Sequence, residues 1–270
     1  MTTRENILFL WLCMAMTAPL RAGTLLEARL QSLQYKDAWV DLRLSVGQDL
    51  ARVDVKGPWT HGSLLYRRDN SLVTVVDHIH RTVLAVPPGS QEAIRLLGGL
   101  AAAKWKAEKE GGDGGPGDVY RLIHENVGSL FNGTPRLKKK DVRLDGFDCD
   151  DYVTDGEKGE AREVWVTTSG RIGMATEDYN TLRSLVHLAV DLASGELAPW
   201  GADTAAFQRR LAGSALPVRA VYYAGGKPSA RFRMLSVRSE SFPAGTFDPP
   251  AGYRTLGFWD LLRQGGASDP

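Results

Sequence analysis

The sequence predicts an α+β fold in which a large curved antiparallel sheet carries helices over its concave face. Three observations lead to this prediction. Short runs with alternating apolar residues follow one another between residues 25 and 86. Two longer stretches, after Ser90 and from Thr176, have apolar residues at helical spacing, and further β-like runs follow each of them. Strands grouped in series, rather than alternating strictly with helices, favour an antiparallel sheet with helices on one face.

The N-terminal 22 residues are predicted to be a secretory signal peptide. Residues 7–18 are almost entirely apolar, but this run is shorter than the ~20 residues that a helical span needs. Cleavage after Ala22 would release a protein that begins at Gly23, and we expect it in the periplasm. The alternative is a retained N-terminal anchor, since Glu5 lies where a purely basic segment is expected.

Charge gives no indication of a polyanionic partner. The chain has 33 basic and 32 acidic residues, and loss of residues 1–22 removes Arg4, Arg21 and Glu5, which leaves 31 of each. A balanced protein has no long-range field that would capture nucleic acid or an anionic membrane. We therefore expect no nucleic-acid partner, and membrane association that is at most transient.

A meander of six strands is predicted first. Residues 25–34 begin it, and in residues 38–46 the side chains Val40, Leu42 and Leu44 alternate with Asp41 and Arg43. This period of two is typical of a half-buried antiparallel strand. Residues 50–55, 62–68, 72–78 and 81–86 repeat it, and short spacings between such runs predict a meander.

Helices and further strands follow the meander. After Pro87, Ser90 is expected to cap a helix over residues 91–109, and a glycine-rich loop occupies residues 111–117. Strands are predicted at 119–130 and 141–147, and helices from Thr176 and at 204–211. Residues 218–223 and 229–237 form a predicted hairpin, and the Pro-rich segment 242–253 is expected to lay its aromatic side chains across the sheet.

A second hairpin is predicted between Cys149 and Thr168. In its second strand Val164 and Val166 share one face, and Trp165 lies on the other, because side chains alternate along a strand. The loop between the strands contains two glycines, which tolerate the positive φ of tight turns.

One cysteine, Cys149, remains after the predicted cleavage and cannot form an internal disulfide. A free cysteine behaves as a small hydrophobic residue, so a buried, inert thiol is the favoured interpretation. Acidic neighbours such as Asp150 would raise its pKa and oppose formation of a reactive thiolate.

His78 and His80 are the best metal-like pair in the chain, with His61, His124 or Asp77 as a third ligand. Residues at i and i+2 of a strand share a face. Solvent-facing histidines are the favoured interpretation, since no spacing in the sequence fixes the other ligands. No nucleophile elbow or P-loop is present. We therefore expect a protein that is not an enzyme and has no cofactor.

Several short motifs resemble an uncharacterised domain family within the superfamily of LolA, the periplasmic lipoprotein carrier. They cover most of residues 25–253, and they include residues 52–57, 70–77, Cys149-x-x-Tyr152, Glu163-Val-Trp-Val-Thr167, 216–219 and 247–253. The resemblance implies a half-open β-barrel whose concave apolar side is covered by helices and, in LolA-like carriers, shelters acyl chains. The loop at 111–117 and residues 193–213 depart from it as insertions.

The expected organisation is a signal peptide at 1–22, a LolA-like domain at 23–253 and a tail at 254–270. The expected function is binding or carriage of a lipid, a lipoprotein acyl chain or another apolar ligand in the hollow of the sheet. The candidate contacts are apolar sheet-face residues: Val40, Leu42, Leu44, Val164 and Val166. One alternative is a non-catalytic cell-envelope protein that holds a protein partner, and another is a metal-dependent enzyme using His78 and His80.

Overall fold

The computed structural model describes residues 21–33, 39–58, 60–86, 135–155, 161–193, 214–224 and 226–258. The predicted helices at 91–109 and 204–211, the glycine-rich loop and the predicted strand at 119–130 lie outside these ranges. So does the predicted signal peptide, except for Arg21 and Ala22.

Twelve strands and one helix form the described part of the chain. The helix, α1, spans Thr176–Ala193. The strands are β1 (Arg21–Ser32), β2 (Trp39–Gly47), β3 (Leu50–Lys56), β4 (His61–Arg67), β5 (Leu72–Asp77), β6 (Thr82–Val86), β7 (Pro135–Leu144), β8 (Phe147–Asp155), β9 (Ala161–Thr168), β10 (Ala215–Ala224), β11 (Lys227–Phe242) and β12 (Arg254–Leu256).

All twelve strands belong to one sheet, in the order β12-β6-β5-β4-β3-β2-β1-β11-β10-β9-β8-β7. Every neighbouring pair is antiparallel except β12 and β6, which are parallel. The predicted six-stranded meander is confirmed as β1 to β6, and both predicted hairpins are confirmed as β8–β9 and β10–β11. Among the described residues the sheet is open, with β12 and β7 at its edges.

Both faces of the first half of the sheet are partly covered by other segments of the chain. On one face α1 packs over β2 and β3, and we call this the helix face. Leu182 and Leu185 of α1 join a buried cluster with a row of side chains from β2 to β6, namely Val46, Ala51, Tyr66, Val73 and Val86. The strand register places these five residues directly opposite one another. Because all five are buried, we call them the covered row.

A polar contact fixes the start of α1 on the sheet. The Asp178 carboxylate, buried in the first turn, accepts hydrogen bonds from Thr24 Oγ1 at 2.7 Å and from the Gln48 backbone N–H at 3.1 Å. Thr181, one turn later, donates its hydroxyl to the Gln48 carbonyl. The helix therefore binds both the N–H and the carbonyl of Gln48. Gln48 lies in the β2–β3 turn and has a left-handed φ of 51°.

The opposite face, which we call the tail face, is covered over parts of β1 to β6 by residues 243–253. Phe247 packs with Leu25, Leu50 and Phe242, and Tyr253 packs against Leu65, Val76 and Val83. Arg52 Nη1 donates to the Thr246 carbonyl at 3.0 Å. The prediction that the Pro-rich segment lays aromatic side chains across the sheet is confirmed.

Some predicted boundaries are wrong. The predicted strand 141–147 begins earlier, at Pro135, and ends at Leu144, because Asp145 and Gly146 form a turn with φ values of 53° and 90°. Phe147 therefore begins the next strand. Strand β5 ends at Asp77, which places His78 in a turn. Of the helices expected over the sheet, the described residues contain α1.

Candidate functional site

An apolar row runs across the helix face beside the covered row. The register places Leu44, Val53, Leu64, Val75 and Leu84 directly opposite one another on β2 to β6. Neighbouring strands lie about 4.8 Å apart, so this row extends for about 19 Å. Buried Leu26 of β1 continues it at one end. We call the five residues from Leu44 to Leu84 the apolar row.

The apolar row and the covered row differ in exposure. Each residue of the covered row is at most 4% exposed, since the row belongs to the buried cluster that α1 joins over β2 and β3. In the apolar row Leu44, Val53, Leu64 and Leu84 are half-buried, and Val75 is 42% exposed. A contiguous strip of exposed apolar side chains is typical of a binding surface, whereas isolated exposed apolar residues are not.

The five residues predicted from the sequence all lie on the helix face, but they are not equally accessible. Leu44 belongs to the apolar row, and Leu42 is half-buried beside it on the same strand. Val40, Val164 and Val166 are at most 5% exposed. Leu42, Val164 and Val166 meet in a second cluster that also contains the β1 and β10–β11 side chains Ala28, Leu30, Ala220, Tyr222, Ala230 and Phe232.

Sequence reasoning missed Val53, Leu64, Val75 and Leu84 as candidate contacts. Each of the four lies on a predicted strand, and the alternation of side chains along that strand assigns each residue to one face of its own strand. Their grouping depends on the register between five strands, which the turn residues set and which alternation within one strand does not reveal.

Of the histidines singled out from the sequence, His78 and His80 do not meet, whereas the His78 ring packs against His61. His78 and His80 lie in the β5–β6 turn, so the prediction that they share a strand face is wrong. His80 Nδ1 pairs with Asp77 Oδ2 at 2.6 Å, whereas the His78 ring lies 4.6 Å from the His61 ring. Within the described ranges, no three His, Cys, Asp or Glu side chains are grouped as a metal site would require.

His78 belongs instead to a network on the tail face. Its Nε2 lies 2.7 Å from Ser63 Oγ, and its Nδ1 lies 3.0 Å from the Tyr253 hydroxyl. Burial, together with the charge of His61, lowers the pKa of His78 and favours the neutral ring. Ser63 donates its proton to Asp54. Ser63 therefore accepts from Nε2–H, and Nδ1 accepts from Tyr253.

This proton arrangement decides what the network can do. A serine nucleophile needs an unprotonated imidazole nitrogen to receive its proton. Here both His78 nitrogens are occupied and the Ser63 proton points to a carboxylate. In this arrangement the network fastens Tyr253 to β4 and the β5–β6 turn.

The prediction that Cys149 is buried is confirmed. The side chain is fully buried, and Sγ lies 3.2 Å from the Val142 carbonyl, to which it donates. Burial, followed by the charge of Asp150, raises the pKa of Cys149 to about 11. The thiolate form of Cys149 is thus disfavoured, which opposes a role for this side chain as a nucleophile.

A polar cavity of about 460 Å³ lies where β1 and α1 begin. It is lined by residues at the start of β1 and the end of β11, including Glu240, and by Glu177 and Asp178 of the helix start. It adjoins the covered end of the helix face and contains none of the apolar-row residues.

In the described part of the chain, no helix has the length and apolar character needed to cross a membrane.

Comparisons with known proteins give no family. No protein-family model matches the chain, and no curated protein matches it. An uncharacterized conserved protein from Thermus thermophilus is similar at 11% identity with a TM-score of 0.39, over 95% of this chain and 99% of the other. PNGF-II is similar at 9% identity with a TM-score of 0.37, over 91% of this chain and 33% of the other. Scores this low do not establish a shared fold or function.

Proposed function

We propose that this protein binds an apolar ligand, a lipid or the acyl chain of a lipoprotein, along the apolar row of the helix face. The observation that supports the proposal is the exposure pattern of two neighbouring rows. The covered row, in the buried cluster that includes α1, is almost completely buried, whereas the next row, from Leu44 to Leu84, is half-exposed over five strands. Burying such surface in an apolar ligand is favourable by about 25 cal/mol per Å².

The dimensions of the row suit an acyl chain. Half of the ~30 Å hydrocarbon core of a bilayer gives about 15 Å for one acyl chain. The apolar row is about 19 Å long by strand spacing. An extended chain lying across the strands would contact each of its five side chains.

Two further features belong to the proposal. The first is the finer architecture, a half-open β-barrel of the LolA type with helices over its concave face, which α1 supports by its position on β2 and β3. The second is export to the periplasm, supported by the apolar segment at residues 7–18. In such a protein the ligand would be carried between membranes rather than chemically changed.

Titration with a fluorescent long-chain fatty acid tests the proposal. Val75 is the most exposed residue of the row, and Val75→Asp would place a carboxylate in the path of the ligand at little cost to the core. We expect this variant to bind the probe at least tenfold more weakly, since an unpaired charge against an apolar chain is strongly unfavourable.

Ile79→Asp is the matched control. Ile79 is 59% exposed in the turn that follows the same strand, and it lies outside the apolar row. Both variants add one negative charge to an exposed apolar position of one hairpin. Equal probe affinity of Val75→Asp and the unmodified protein, with matching thermal stability, would exclude the apolar row as the binding site.

A further inference from the structure

Arginines accumulate on the tail face of β10 and β11, beyond the region that residues 243–253 cover. Arg219 of β10 lies directly opposite Arg233 of β11, and Arg233 lies directly opposite Arg29 of β1. Arg231 occupies the same face two residues before Arg233, opposite Val221. Like charges directly opposite one another destabilise a sheet, so this arrangement needs compensation.

Two of these arginines have that compensation. Arg233 makes a two-pronged ion pair with Asp145, with both nitrogen–oxygen distances at 3.0 Å. Arg29 pairs in the same way with Asp41 at 2.5 and 3.0 Å. Their positive charges are therefore matched within the chain.

Arg219 and Arg231 lack it. Neither has a carboxylate partner among the described residues, and the Nε atom of each is buried without a hydrogen-bond acceptor. The Arg219 guanidinium lies 5.4 Å above the centre of the Trp165 ring, which holds it against the sheet. The nearby acids Asp151 and Glu163 pair with Lys138 and with neither arginine, and Asp151 Oδ1 has no hydrogen-bond partner within the described ranges.

We infer that Arg219 and Arg231 form an anion site that takes a phosphate group. The two positions are diagonal neighbours on adjacent strands, about 7–8 Å apart, which brings both long side chains within reach of one ligand. A guanidinium fork matches phosphate oxygens, and a phosphate monoester carries a charge of about −1.5 to −2, which balances two arginines. A carboxylate would balance one of them.

This site lies on the face opposite the apolar row and does not depend on the function proposed above. The phosphate has two sources, a soluble phosphate ester or the headgroup of a phospholipid. Both present non-bridging phosphate oxygens to the arginines, three on a monoester and two on the singly charged diester of a headgroup such as phosphatidylglycerol, and the binding experiment distinguishes them.

The experiment measures binding of inorganic phosphate and glycerol 3-phosphate at constant ionic strength, with chloride as reference anion. A parallel arm measures binding to phosphatidylglycerol vesicles against phosphatidylcholine vesicles. We expect Arg219→Gln and Arg231→Gln each to weaken binding about tenfold or more, since each removes charge-assisted hydrogen bonds. Binding in the first arm alone identifies a soluble ester, and binding to phosphatidylglycerol vesicles identifies the headgroup.

Arg43→Gln is the charge-matched control, because Arg43 lies on the same face on β2, outside the cluster. Without ligand, Arg219→Gln should be at least as stable as the unmodified protein, because it removes a like-charge neighbour of Arg233. A purely structural arginine would lower that stability. The inference is overturned if Arg43→Gln weakens binding as much, or if neither phosphate nor phosphatidylglycerol vesicles bind.

Discussion

Replacing Asp178 by alanine should destabilise the protein far more than its position in the first turn of an exposed helix would indicate. Its carboxylate accepts hydrogen bonds from Thr24 and from the backbone of Gln48, and the residue is 4% exposed. The alanine variant leaves both donors without their carboxylate acceptor at the wall of the polar cavity. We therefore expect α1 to lose its attachment to the β2–β3 turn.

The size of this effect follows from the two bonds. A hydrogen bond to a charged group contributes about 1.5–3 kcal/mol, and bonds that share an acceptor add incompletely. We expect Asp178→Ala to lower the free energy of unfolding by about 2–4 kcal/mol. Asp178→Asn retains one acceptor oxygen and should lose about 1–2 kcal/mol. A small domain has about 5–15 kcal/mol in total, so the alanine variant would approach the limit of folding.

Urea denaturation followed by circular dichroism measures these differences. Glu177→Ala is the matched control, since Glu177 is the other acidic residue of the first turn and is exposed. It removes the same charge from the same helix end, so the helix-dipole contribution is common to both variants. If Asp178→Ala and Glu177→Ala agree within about 0.5 kcal/mol, the carboxylate does not fasten the helix and this reasoning is wrong.

Two further predictions concern titrating side chains. Burial and the charge of Asp150 raise the pKa of Cys149 to about 11, so a thiol reagent at pH 8 should label native protein far more slowly than protein in urea, and equal rates would contradict the burial. Burial and the charges of His61 and Arg52 lower the pKa of His78, so the unfolded chain binds this proton at higher pH than the folded protein. The stability that His78 contributes is therefore present above its ordinary pKa of about 6.5 and is lost as the pH falls below it. Between pH 7 and 5, denaturation of His78→Gln should depend less on pH than that of the unmodified protein, and identical slopes would refute this assignment.

The sequence predicted most of the sheet, because local alternation carries the information. Val40, Leu42 and Leu44 alternate with charged residues, and the strand they predict is β2. The ends of the strands were predicted less well. At Asp145, for example, a non-glycine residue adopts a positive φ, which the residue type alone does not predict. Likewise, β5 ends at Asp77 because that side chain caps the following turn through the backbone N–H groups of Ile79 and His80.

The candidate site was predicted only in part, because it depends on pairing between strands. Leu44 was identified from its own strand, but Val75 became a candidate only when the register placed it opposite Leu64 and Leu84. Which row a helix covers is also a tertiary property. Helix α1 takes its position from Asp178, whose partners are 130 and 154 residues away in the chain.

The central claim is that the apolar row holds an apolar ligand, and native mass spectrometry of protein purified from its own cells tests it most directly. Organic extraction of the same sample then identifies any bound lipid. The account predicts a reproducible lipid or acylated peptide that is lost in Val75→Asp and retained in Ile79→Asp. An unliganded mass in all three proteins, together with no uptake of added lipids, would contradict it.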